Sequence, residues 1–277
     1  MEMSDQTLLS LQDAAEFANL AYENPGFVSS AYHSPDTCTS SILRSCVQLI
    51  ASEPIYLHDD TTGLRAYVMK LKGPEPTLLV CIRGTSSLED CFIDVQVRQV
   101  PFHDQTMAKV HSGFLKQYES LAIQLEPTLK EHMTDDTNKI IFVGHSLASG
   151  VATIAALSAS LRFSAQRVVF FGFGSPKVGN QAFANLFKSN IVHCELIKHA
   201  CDPICKIMVG DDYVHVRPLV CYGCYDMHES IPLVTDIGDH NIVKYITSIQ
   251  NNESSQHPAL WQQVIQRVLD CIVHLFS

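Results

Sequence analysis

The chain is short of several things, and each shortage closes off a class of function. Positive charge is scarce: 19 lysines and arginines stand against 29 aspartates and glutamates, for a formal net charge of −10 at pH 7. That balance argues against nucleic acid as a partner and against electrostatic docking on anionic membranes, while leaving a neutral lipid surface open. No apolar stretch is long enough to span a bilayer, so no transmembrane segment is expected. Met1 to Leu11 carries Glu2 and Asp5 and lacks the basic-then-apolar pattern of a secretory signal, so a cytoplasmic location is expected. No low-complexity run argues for disorder. The ten cysteines then read as reduced thiols, many of them packed as small apolar groups. Cys221-Tyr222-Gly223-Cys224 lacks a second C-x-x-C to complete a zinc site with Cys201, Cys205, His215 or His228. The plain reading is a hairpin with two buried thiols, with no metal and no cofactor.

What is present is material for a large core. Over 277 residues, 46% are hydrophobic and 17% charged. One domain over 1–277 is expected, although length alone allows two.

The chain is organised around Ile140-Ile141-Phe142-Val143-Gly144-His145-Ser146-Leu147-Ala148-Ser149-Gly150. Its first four residues predict a short buried strand. Gly144 breaks the run. From Leu147 the small and apolar residues Val151, Ala152, Ile154, Ala155, Ala156 and Leu157 predict a buried helix. A serine at that turn has the setting of a G-x-S-x-G nucleophile elbow. Small neighbours permit the tight turn, and the first N–H groups of the helix point toward any oxyanion formed there. Here Ala148 replaces the second glycine, so a plain turn or helix-cap role for Ser146 is the competing reading.

The surrounding elements read as α/β. Apolar spacing predicts a helix over Thr7 to Tyr22, ended by Asn24-Pro25-Gly26, and residues 26–40 read as loop. Glu53 to His58 and Leu64 to Leu71 form an expected hairpin, followed by a buried strand from Thr77 to Ile82. Arg83-Gly84-Thr85-Ser86 lies at that strand's end, where α/β sheets place ligands. Ser86 to Val97 reads as a short helix. Ser112 to His132 reads as a longer one that Pro127 kinks or ends. Further strands are expected at Arg167 to Phe173 and Ile191 to Lys198, with a helix from Asn180 to Phe187 between them. Tyr213 to Val220 reads as an edge hairpin strand, and Asn241 to Ile249 as a helix. A final helix from Pro258 to Phe276, within 251–277, is expected to pack on the core rather than lie on a membrane. Strand and helix alternate from 77 to 198, the signature of a mostly parallel sheet.

Three residue types complete the pattern. Ser146, Asp202 and His240 occur in the order serine, acid, histidine, which is that of α/β hydrolases. Serine is a weak nucleophile until a base takes its proton. Histidine titrates near neutrality, so it can take that proton and return it. A carboxylate fixes the imidazole's tautomer and stabilises its charged form. Spacing alone leaves Asp211, Asp212 and Asp239 open as the acid. His145 is expected to point away from the serine.

From about residue 50 to 250 the chain resembles the class 3 lipases, the fungal-lipase-like branch of the α/β hydrolases. Cys81-Ile82-Arg83-Gly84-Thr85-Ser86 is similar to that family's oxyanion loop. Asp90 to Asp94 resembles its D-x-x-x-D segment. Val110-His111-Ser112-Gly113-Phe114, Gly144-His145-Ser146-Leu147 and Gly172 to Asn180 resemble three further motifs. Asp202-Pro203 and Asp239-His240 stand where the family has its acid and histidine.

The resemblance implies an α/β-hydrolase fold and a serine esterase acting on acylglycerols or related lipid esters. It implies Ser146 as nucleophile, His240 as base and Asp202 as orienting acid. It also implies Thr85 and Leu147 as oxyanion donors and Asp94 as support for the Thr85 hydroxyl. Residues 86–97 would be a lid in transient contact with lipid. Ala148-Ser149-Gly150 departs from the family's Gly-Gly-Ala, and Cys91 stands where many relatives have tryptophan. A lipase-like interaction protein without turnover, and a phospholipase A1 or acyltransferase variant, are the alternatives.

Overall fold

A run such as Ile140 to Val143, apolar at every position, is buried on both faces. In the computed structural model it forms the middle of a sheet that has seven strands among the described residues. The structure describes residues 9–83, 98–133, 139–163, 168–191, 193–206, 212–223 and 237–252. The strands of the sheet, β1 (Ile55–His58), β2 (Arg65–Leu71), β3 (Thr77–Arg83), β6 (Lys139–His145), β7 (Val168–Phe173), β8 (His193–His199) and β9 (Leu219–Tyr222), lie side by side in that order. The first two pairings are antiparallel. From β3 to β9 every pairing is parallel. A separate two-stranded ribbon joins β4 (Gln99–Phe102) to β5 (Gln105–His111).

Alternation along the strands sorts the core into two halves. Ile140, Phe142, Val80 and Phe170 face helices α4 (Ser112–His132), α5 (Leu147–Phe163) and α6 (Gln181–Asn190). Ile141, Val143, Leu79 and Phe171 face α1 (Leu11–Leu20), α2 (Pro25–His33), α3 (Ser41–Leu49) and α7 (Ile242–Gln250). This is the mostly parallel sheet flanked by helices that the sequence predicts. Its strands end at one edge, where β6 gives way to α5.

Several boundaries differ from expectation, each for a local reason. Residues 26–40 are not loop. The Asn24 side chain accepts the Gly26 N–H at 2.9 Å and Pro25 occupies the first turn, so Asn24-Pro25 starts a helix instead of only ending one. Ser40 caps α3 in the same way, accepting the Leu43 N–H at 3.3 Å. The β4–β5 ribbon was not among the elements expected from the sequence. Pro127 sits within α4 without ending it. It is exposed, so the carbonyl it leaves unpaired can face water. The last strand is Leu219–Tyr222 rather than Tyr213 to Val220. Among the described residues it is an edge strand, as expected, and its pairing there is parallel to β8 rather than that of a hairpin. The expected helices at Ser86 to Val97 and Pro258 to Phe276 lie outside the described residues. Among the described residues, no helix is long and apolar enough to cross a membrane.

Candidate active site

Ser146 sits between the last residue of β6 and the first of α5, with φ at +63°, a left-handed conformation that costs a residue with a side chain about 1 kcal/mol or more. The surrounding structure enforces it. The Ser146 N–H donates to the Phe173 carbonyl at 2.9 Å, and its own carbonyl accepts the Ser149 N–H at 2.9 Å. Gly144 makes the turn possible: a β-carbon there would lie 2.7 Å from Ser149 Cα, against backbone that cannot move aside. The departure at Ala148-Ser149-Gly150 is accommodated by neighbours. Ala148 is fully buried. Gly150 leaves room for the Phe114 ring, and Gly172 on β7 leaves room for the Ser149 hydroxyl, which a β-carbon would approach to 2.6 Å.

His240 ends a turn of 3-10 helix, Ile237–His240, and Asp202 lies in the loop after β8. The two meet: His240 Nδ1 donates to Asp202 Oδ2 at 2.7 Å. The other carboxylate oxygen accepts the Ile204 N–H at 2.8 Å, and the Tyr245 hydroxyl donates to Oδ2. Burial works against ionisation of Asp202. The bond and charge from His240, the Tyr245 hydroxyl and the Ile204 N–H outweigh it and hold the carboxyl below its usual range. With Nδ1 given to the carboxylate, Nε2 carries the lone pair. Both His240 Nε2 and Ser146 Oγ are buried with no hydrogen-bond partner among the described residues. Gly174, at φ +55°, closes the floor: a β-carbon there would meet Asp202 Oδ2 at 2.8 Å and His240 Cε1 at 2.9 Å.

His145 does turn away from the serine, but not away from the site. Its ring stacks on that of His240 with centroids 4.6 Å apart. Its Nε2–H donates to the His240 carbonyl at 2.9 Å, and its Nδ1 accepts from the Tyr22 hydroxyl at 2.8 Å. A carbonyl can only accept, which fixes the neutral tautomer. Burial, with the His240 charge beside it, pushes the His145 pKa down to about 3. Tyr245, Tyr22 and this use of His145 were missed from sequence. The one signal was a tyrosine on the apolar face of the helix after His240.

Leu147 opens α5, where the first N–H groups have no acceptor within the helix. Thr85, Asp94 and the segment 86–97 lie outside the described residues. Of the other acids considered, Asp239 bonds backbone rather than His240, Asp212 is exposed, and Asp211 lies outside the described residues. Cys221 corrects the expectation of reduced thiols: it is disulfide-bonded, while Cys38, Cys46, Cys81, Cys194, Cys201 and Cys205 are free. A disulfide also takes from Cys221 the thiolate that a metal would need.

The sheet order, the helices on both faces and the serine elbow define an α/β-hydrolase fold. The lipase II structure from Rhizopus niveus superposes with a TM-score of 0.67 at 21% identity, covering 83% of this chain and 92% of that one. The family description Lipase (class 3) matches residues 79–214, and through that region the chain is similar to the class 3 lipases. A lipase from Rhizopus niveus is 31% identical over 150 residues, 53% of this chain and 37% of its own length. The secreted mono- and diacylglycerol lipase 1 of Fusarium solani is 29% identical over 159 residues, 57% of this chain and 47% of its own. The chain thus spans between a third and a half of the length of these relatives. The relative from Fusarium is secreted by name, which overturns the expectation of a cytoplasmic location.

Proposed function

We propose that the chain is a serine hydrolase of lipid carboxylic esters, of the triacylglycerol or mono- and diacylglycerol type. The observation that carries this reading is the 2.7 Å bond from His240 to Asp202, which leaves the His240 Nε2 lone pair free in the same buried site as a serine held at φ +63°. Ser146 Oγ attacks the ester carbonyl as His240 Nε2 takes its proton. Asp202 stabilises the imidazolium that forms. The negative oxygen is met by the N–H of Leu147 and by Thr85, with Asp94 holding the Thr85 hydroxyl. One such donor is worth about 3 kcal/mol of barrier. His240 then protonates the departing alcohol, and later activates the water that releases the acid. The roles of Thr85 and Asp94, the lid at 86–97 and its contact with lipid rest on the family resemblance. The names of the Rhizopus and Fusarium relatives support acylglycerols as the substrate class.

Hydrolysis of p-nitrophenyl esters from acetate to palmitate, wild type beside Ser146→Ala, tests the proposal. Serine-dependent turnover that rises with chain length is the expected result. Turnover confined to acetate and butyrate would mean an esterase with a small acyl site. No turnover from folded protein, with or without lipid emulsion, would favour an interaction protein.

A further inference from the structure

The bond between His240 and Asp202 joins two residues that neither an α-helix nor a strand holds in place. Asp202 follows Ala200, which sits at φ +40°, and His240 ends a four-residue turn. A misplacement of about 1 Å in such a pair can cost a hundredfold in rate. Asp239 spans the gap. Its Oδ2 accepts the N–H of Cys201 at 3.1 Å. Asp239 immediately precedes the histidine, and Cys201 immediately precedes the acid. One carboxylate therefore ties the base's turn to the acid's loop, one residue back from the bond it protects.

The clasp is itself anchored. Lys244 Nζ, on α7, donates to Asp239 Oδ1 at 3.0 Å. His199 Nδ1 lies 3.8 Å from the same oxygen, and its Nε2 meets the Ser248 hydroxyl of α7 at 3.2 Å. The acid's loop is also pinned at its base, where the Ala200 N–H donates to the Tyr222 carbonyl at 2.9 Å. On the other side of His240, His145 holds its backbone carbonyl. The base is thus fixed from both directions. Asp239 has its side chain only 16% exposed and touches neither catalytic side chain through a hydrogen bond of its own.

We infer that Asp239 is a positioning residue, whose carboxylate sets the His240–Asp202 geometry by holding the Cys201 N–H. The inference rests on the Ser146, His240 and Asp202 reading above. A charge is not required for it; an acceptor oxygen is. That separates it from a general stabilising role, which any well-packed side chain could fill.

The test measures kcat and KM on p-nitrophenyl butyrate for wild type, Ser146→Ala, Asp239→Ala and Asp239→Asn. Each kcat is expressed per site titrated with a fluorophosphonate, so unfolded protein lowers the titre and not the rate; Ser146→Ala, which has no site to titrate, is the background rate per mole of protein. Asp239→Ala is expected to lose at least tenfold in kcat with KM within about twofold. Asp239→Asn, which keeps an acceptor, is expected to stay within about threefold of wild type. Asp239→Leu, with similar bulk and no acceptor, is the second variant should alanine not fold, and should lose as much. A kcat for the alanine or leucine variant within twofold of wild type would overturn the inference, as would an asparagine variant as slow as alanine. Wild-type protein without Ser146-dependent turnover would remove the catalytic reading itself, and the clasp with it.

Discussion

The elbow that carries Ser146 and the loops that carry His240 and Asp202 are held by different physics. The elbow is fixed by packing: β6 is buried along its length, residues 148–159 of α5 are all buried, and Gly144 touches backbone. The serine's strained φ is supported by the whole core. The loops are fixed by polar contacts: three donors on the Asp202 carboxylate, one carbonyl of His240 held by His145, and one carboxylate on the Cys201 N–H. Packing is strong but indifferent to atomic detail. Hydrogen bonds are individually weak but directional. On the proposed mechanism the nucleophile needs only a place, whereas the base needs an orientation and a tautomer, and the two regions fit that division.

The comparison can be broken in four ways. Changes to the loops should cost rate and spare the fold, and changes to the elbow should do the reverse. Asp202→Asn should have the largest effect, a loss of about 10⁴-fold in kcat in a chain that still folds, because His240 is then held in the wrong tautomer. Circular dichroism and ester kinetics on one sample would check both halves. Gly144→Ala should lower stability by about 3 kcal/mol, the upper end for overpacking, since its β-carbon meets backbone at 2.7 Å. Urea unfolding reads this, and a loss under about 1 kcal/mol would mean that the elbow can relax. Tyr245→Phe removes one donor from Asp202 and should slow kcat by about tenfold, with little change in KM. An unchanged rate would show that the remaining donors suffice.

The smallest effect is in pH. The folded chain keeps His145 neutral down to about pH 3, while the unfolded chain takes up a proton below its ordinary 6.5. The unfolded state therefore binds the extra proton, and the stability contributed above 6.5 is lost as the pH falls toward 3. The slope is at most about 1.4 kcal/mol per pH unit for this one group. Asp202, whose pKa is also depressed, adds a loss in the same direction below its ordinary 3.8. In His145→Phe the slope between about pH 6 and 4 should flatten, and an identical slope would place the neutral group elsewhere.

The same division explains what could be read from the sequence. Ile140 to Gly150 was legible because packing leaves a composition signal: β-branched residues, a glycine, then small residues over three turns. The parallel strands at 77, 140, 168 and 193 were legible for the same reason. Asp202 was not separable from Asp239 by spacing, since both flank the chemistry and differ only in which atom they touch. Tyr22 and Tyr245 act through single hydroxyls brought together by the fold, and no periodicity encodes that. Asn24-Pro25 carried two correct meanings, the end of one helix and the start of another, and composition favoured only the first.

The central claim is that Ser146 is a nucleophile activated by His240. Intact-mass and peptide analysis after treatment with a fluorophosphonate tests it most directly. The account predicts one adduct per folded chain, located on Ser146, absent in Ser146→Ala and formed far more slowly in His240→Ala. Folded wild-type protein that stays unlabelled, or that is labelled on another residue, would contradict it.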